Sequence, residues 1–157
     1  MSNLIVLNKI SATAHIVDVV APATVTNGNV VVLGTQASDK TYACAAPAAV
    51  TDKGMALVMG VNLPYGVEYT EDLYTITTGE IIRAYIPQLG DVVSIPVANV
   101  TATAALAVGK VVVPKATFLK MECLAAVAGT EVLVWIIEEL YTKAGVALVK
   151  LRCIKTQ

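Results

Sequence analysis

The sequence predicts an all-β protein: a single domain over residues 1–157, built as a β-sandwich or β-barrel, with residues 1–27 either an extended N-terminal arm or its first strands. Three observations carry this. Apolar residues recur with period two or in strand-length runs. Turn residues punctuate those runs at short intervals. Alanine-rich stretches, the best helix candidates by composition, are short or contain proline.

The clearest strand signal is near the C-terminus, where Val149, Leu151 and Cys153 alternate with Lys150 and Arg152, the pattern of a strand with one wet face. Glu131–Glu139 reads differently. Val132, Val134 and Ile136 point to one side and Leu133, Trp135 and Ile137 to the other, so this strand is central or covered by a second subunit. Its predicted hairpin partner is Val146–Ile154, joined across Lys143-Ala144-Gly145. Val30–Leu33, Met55–Met59, Val92–Val97 and Val111–Val113 are further apolar runs. Pro96 marks an edge or a bulge, because proline has no N–H for the ladder.

Asn27-Gly28-Asn29 stands before Val30, Asp52-Lys53-Gly54 before Met55, Thr78-Gly79 before Glu80 and Gly90-Asp91 before Val92. Asn-Gly supplies the positive φ of a tight hairpin turn. Ala43–Val50, with Pro47 inside it, and Ala102–Val108 are expected to form at most one or two helical turns.

Composition bounds the function. Apolar residues make up 56% of the chain and charged residues 15%, against about 45–50% and about 25% in ordinary soluble domains. Apolar surface in excess of one monomer's needs is usually covered by a partner, the alternative being a monomer with an Ala- and Val-rich exterior. The formal net charge of -1 comes without a basic run, so binding to nucleic acid through phosphate has no basis here. Apolar runs fall short of the roughly 18–20 residues of a membrane helix. The start, MSNLIVLNKI, lacks a signal-type core, so a cytoplasmic site of synthesis is expected and Asn99-Val100-Thr101 is read as a chance glycosylation triplet. The cysteines Cys44, Cys123 and Cys153 form no CxxC pair and read as reduced, mostly buried thiols.

No catalytic, cofactor or metal constellation is assigned. Gly109-Lys110 is followed by Val111 and preceded at the required distance by Ala104, so a phosphate loop fails twice. His15, the one histidine, lies in a strand-like run without a marked nucleophile. The carboxylate pairs Glu71-Asp72 and Glu138-Glu139 are adjacent, and neighbours on a strand face opposite sides. Partner binding is the remaining chemistry. Leu4, Ile5, Val6 and Leu7 form a short apolar segment able to add a strand to a neighbour's sheet. Tyr65, Tyr69 and Tyr74 offer rigid area with polar tips. Those tyrosines and Trp135 are also the platforms of a competing reading, a small-ligand or sugar-binding β-module, against which the apolar surroundings of Trp135 argue.

The order Gly79-Glu80-Ile81-Ile82-Arg83-Ala84-Tyr85, Gly90-Asp91-Val92-Val93-Ser94-Ile95 and Val108-Gly109-Lys110-Val111-Val112, with the Asn27–Val32 segment ahead of it, resembles tailed-bacteriophage head-associated proteins of the decoration or cement type. The resemblance spans about residues 25–155 and departs at Pro96, where the pattern prefers threonine. It implies a non-enzymatic virion protein without cofactors, made in the host cytoplasm and held on the capsid. Its partners would be the major capsid protein and copies of itself. A tail tube, adaptor or fibre-base module is the alternative within the same class.

Overall fold

A computed structural model describes residues 4–10, 15–59 and 75–156. The fold is all-β and combines a closed five-stranded barrel with an open seven-stranded sheet. The strands are β1 (Val6–Lys9), β2 (His15–Val20), β3 (Val30–Gln36), β4 (Tyr42–Ala45), β5 (Met55–Val58), β6 (Ile81–Ile86), β7 (Val92–Pro96), β8 (Val100–Ala102), β9 (Val111–Pro114), β10 (Met121–Leu124), β11 (Val134–Lys143) and β12 (Val146–Lys155), with one 3-10 turn at Val97–Asn99. The barrel closes in the order β2-β4-β3-β5-β6, and the sheet runs β1-β7-β12-β11-β9-β10-β8. Pairs are antiparallel except β2–β4 and β8–β10.

The two bodies share a core. Within the barrel, Val17, Val19, Val31, Ala56, Val58, Ile82 and Ala84 pack together. The alternate residues Val30, Met55, Leu57 and Tyr85 face outward and join Val93, Ile95, Val112, Trp135, Ile137, Val149 and Leu151 of the sheet. This is why Met55–Val58 reads as an unbroken apolar run: both faces of β5 are buried, one in each cluster. A buried polar link reinforces the junction. The Tyr85 hydroxyl, at the end of β6, donates to the Asp91 carboxylate ahead of β7, and the Gln88 amide donates to the same oxygen at 2.8 Å. Burial first, then this bond, holds the Tyr85 phenol above its ordinary pKa.

Two expectations hold with a difference and two are corrected. Asn27-Gly28 forms the expected turn with positive φ, the Asn29 amide donating to the Thr26 carbonyl at 3.1 Å, but the turn is buried at the junction and the strands on either side of it, β2 and β3, are not paired, so it closes no hairpin. Gly28 has φ +87, and a Cβ there would lie 2.9 Å from the Cβ of Ile95. Asn99 Nδ2 donates to the Asn27 carbonyl at 2.6 Å, and the Asn29 side-chain oxygen accepts from the Thr26 amide at 3.0 Å. Ala43–Val50 and Ala102–Val108 form no helix: Cys44 and Ala45 pair with Leu33 and Val32, and Ala102 pairs with Cys123. Sheet pairing outweighs alanine's weak local preference. The long strand starts at Val134 rather than Glu131, because the Glu131 carboxylate instead accepts the Ala128 and Gly129 amides, both at 2.8 Å, and closes a turn. Finally, Glu138 and Glu139 do reach the same face. A bulge between Ile137 and Glu139 inserts one residue, so Glu138 meets Arg152 at 2.6 Å and Glu139 meets Lys150 at 3.5 Å.

Candidate functional site

The segment Leu4–Leu7 lies at one end of the seven-stranded sheet. Val6 and Leu7 pair with Ser94 and Val93 of β7, and a bulge brings Lys9 opposite Val92. The Ser94 hydroxyl donates to Asn8 Oδ1 at 2.6 Å. Ile5 and Leu7 pack on the shared core, so part of the apolar segment is used within its own chain. The far edge of β1 ends the sheet and pairs with no described strand. Lys9 is the one charged residue in β1, which leaves an edge with little of the charge that usually blocks strand addition. Pro96 lies beyond the reach of β1 on β7, so its missing N–H breaks no bond to that strand. Tyr65, Tyr69 and Tyr74, like Glu71-Asp72, fall outside the described residues.

Other exposed surface is apolar in two places. On the outside of the barrel, Val20–Ile81, Asp18–Arg83 and Ile16–Tyr85 form successive rungs between β2 and β6. Ile16 and Ile81 are exposed, Asp18 and Arg83 stand between them, and Tyr85 turns under the sheet. The second place is the β11–β12 hairpin, which projects past the short β9 pairing at Trp135 and Ile136. A shallow groove of about 310 Å³ there is lined by Val97, Leu106, Leu140, Tyr141, Ala147 and Leu148.

The sequence-proposed sugar platform Trp135 is fully buried between Val112 and Cys153 on neighbouring strands. Its place is the core. Phe118, which sequence reasoning passed over, is 52% exposed. It stands in the β9–β10 connection beside a hollow of about 200 Å³. A lone phenylalanine carries no motif, and only the turn that presents it distinguishes it from a core residue.

Titratable groups sit as follows. His15 is exposed at the start of β2. Burial pushes the Cys44 thiol up to about 11 and the Cys153 thiol up to about 12, and it raises Cys123 as well. All three cysteines are free, and such thiols carry little thiolate near neutrality. The Ala128 amide and its neighbours in the turn hold Glu131 below the usual carboxylate range. Among the described residues no three His, Cys, Asp or Glu side chains cluster as metal ligands would. Asn99 of the glycosylation triplet is buried, with both side-chain atoms engaged: Nδ2 on Asn27 and Oδ1 on the Thr26 hydroxyl at 3.2 Å.

No protein-family model matches the chain, and no curated protein matches it in sequence.

Proposed function

We propose that this chain is a virion structural protein that attaches to an assembled bacteriophage capsid and stabilises it through β-rich contacts with the major capsid protein and with copies of itself. The observation that carries the reading is the edge of the seven-stranded sheet along β1, which pairs with no other described strand and carries Val6, Leu7, Asn8 and the single charge of Lys9. An edge of this kind adds a neighbour's strand through main-chain hydrogen bonds. The head-protein resemblance from Gly79 to Val112 supports the same reading, and its Gly79, Gly90 and Gly109 all hold positive φ, at 88°, 88° and 85°. A lattice contact shared by two capsid subunits makes the second engagement intramolecular, so modest affinity becomes avidity. Binding only the assembled state then stabilises the shell by mass action.

The test mixes the protein with shells that lack it and, separately, with free capsid subunits, and sediments both. The expected outcome is binding to shells in excess of binding to free subunits. Val6→Lys places a second charge on the edge strand and is expected to weaken shell binding by about tenfold or more while the melting temperature holds. Equal binding to free subunits, or none to shells, would overturn the lattice reading. Full binding by V6K would remove β1 as the contact.

A further inference from the structure

We propose that the hollow beneath Phe118 is a binding site for one neutral sugar ring. It is lined by Thr24, Thr26, Asn29, Asn99, Phe118, Leu119 and Lys120, and it lies where the barrel mouth meets the 3-10 turn and the β9–β10 connection. The site stands independently of the capsid reading.

The floor is polar and buried. Thr26, Asn29 and Asn99 are 4%, 5% and 5% exposed. Thr26 and Asn99 satisfy each other, the Thr26 hydroxyl donating to Asn99 Oδ1 and Asn99 Nδ2 donating to the Asn27 carbonyl. Asn29 is only half used: its oxygen accepts from the Thr26 amide, while its Nδ2 finds no acceptor among the described residues. The Asn29 Nδ2 is reached by solvent through the hollow, so an occupant that displaces water there has to offer it an acceptor. The wall is apolar. The Phe118 ring is held outward by a fixed turn: the Thr117 amide donates to the Pro47 carbonyl at 2.7 Å and the Lys115 amide to the Lys120 carbonyl at 3.1 Å. Thr117 has φ +65, a conformation that a β-branched residue rarely adopts. Lys115 Nζ stands 4.9 Å from the ring centroid. At the rim, the Lys120 ammonium donates to the Ala98 carbonyl at 2.9 Å, so its charge is already directed to an acceptor.

An aromatic wall beside amide and hydroxyl groups matches a ring with C–H faces and hydroxyl edges. The hydroxyl oxygens supply the acceptor that Asn29 lacks, and the C–H face covers Phe118. A purely apolar guest would leave the Asn29 amide unmet, and an anion would find the rim cation engaged. A hollow of about 200 Å³ holds about six or seven waters at roughly 30 Å³ each, which suits one ring and no longer segment.

The test titrates the intact ¹⁵N-labelled protein with the methyl glycosides of glucose, galactose, mannose and N-acetylglucosamine, following the Asn29 side-chain amide and the Phe118 resonances. At least one glycoside is expected to shift both saturably in the millimolar range. Phe118→Ala is expected to weaken it about tenfold or more, and Phe118→Tyr to restore it. Asn29→Asp keeps the oxygen that caps Thr26, removes the donor and is expected to weaken binding equally. Melting curves confirm that the variants are folded. A second arm sediments the protein with insoluble polysaccharide of the ring that binds: co-sedimentation assigns the ligand to a surface glycan, and its absence to the free sugar. No saturable shift with any glycoside, or wild-type affinity in F118A, overturns the proposal.

Discussion

Trp135 is fully buried, and its Nε1 has no acceptor. The indole therefore contributes through packing alone, against an unmet donor. Trp135→Ala is expected to cost about 3–5 kcal/mol in a denaturant titration, the range for large aromatic truncations, and an unchanged midpoint would place the ring outside the core. Trp135→Phe is expected to cost less than half as much, because removing the unpaired N–H offsets part of the lost area. Glu131 carries the pH dependence. The Ala128 amide, its own and that of Gly129, with Lys155 nearby, hold its carboxyl below the ordinary 4.5. A depressed folded pKa means that the stabilisation is complete above that value and is lost as pH falls through the lower folded one. Glu131→Gln is expected to flatten the decline in stability as pH falls below about 4.5, measured by urea melts at each pH. A slope identical to wild type would show that the turn does not need the charge. The apolar identity of Trp135's surroundings was legible in the sequence. Glu131's role was not, since a carboxylate at the head of an apolar run looks like the strand's first residue until its acceptor geometry is seen.

Among the elements, the β11–β12 hairpin was the most legible. Val149, Leu151 and Cys153 are buried as their alternation predicts, while Arg152 is exposed and Lys150 half-buried. The turn that joins the strands has Ala144 at φ +50 and Gly145 at φ +78. Two consecutive positive φ values are the type I′ arrangement that suits the twist of paired strands. Alanine is a poor occupant of the first position, because its Cβ crowds the backbone there by about 1–2 kcal/mol. Ala144→Asn is therefore expected to stabilise the protein by about 0.5–1 kcal/mol, and Ala144→Val to destabilise it by at least about 1 kcal/mol. Both changes lie at an exposed tip, so equilibrium unfolding reads backbone strain with little packing change. The bulge in the same hairpin was invisible in the sequence. Glu138 and Glu139 are adjacent identical residues, and nothing local marks which one is inserted. The long-range pairing of Arg152 and Lys150 decides it. The two alanine-rich stretches, expected to hold at most a turn or two of helix, hold none, and their strand residues are settled by pairing with β3 and β10 rather than by their own composition.

On the scale of the whole molecule, an all-β fold was readable from period and punctuation, but the pairing of a barrel with an open sheet was not. Asn27-Gly28-Asn29 shows why. Its local chemistry is that of a hairpin turn, and its actual contacts are with Ile95 and Asn99, about seventy positions along the chain. Val30, Met55, Leu57 and Tyr85 of the barrel lie in one cluster with Trp135 and Leu151 of the sheet, so the two bodies are expected to unfold as one unit. Gly28→Ala tests this at the seam. It forces φ +87 on an L-residue and places its Cβ 2.9 Å from Ile95, for an expected loss of about 2–4 kcal/mol. Gly79→Ala is the control, since φ is +88 there and the Cβ would meet nothing within 4 Å. It is expected to cost only the conformational part, about 1–2 kcal/mol. Trp135 fluorescence reports the sheet, and amide exchange in β2–β6 reports the barrel. In G28A both are expected to shift by the same free energy, with a single calorimetric transition. Barrel amides that lose protection while the Trp135 transition stays in place would mean that the barrel opens alone and that the shared cluster does not couple the two bodies.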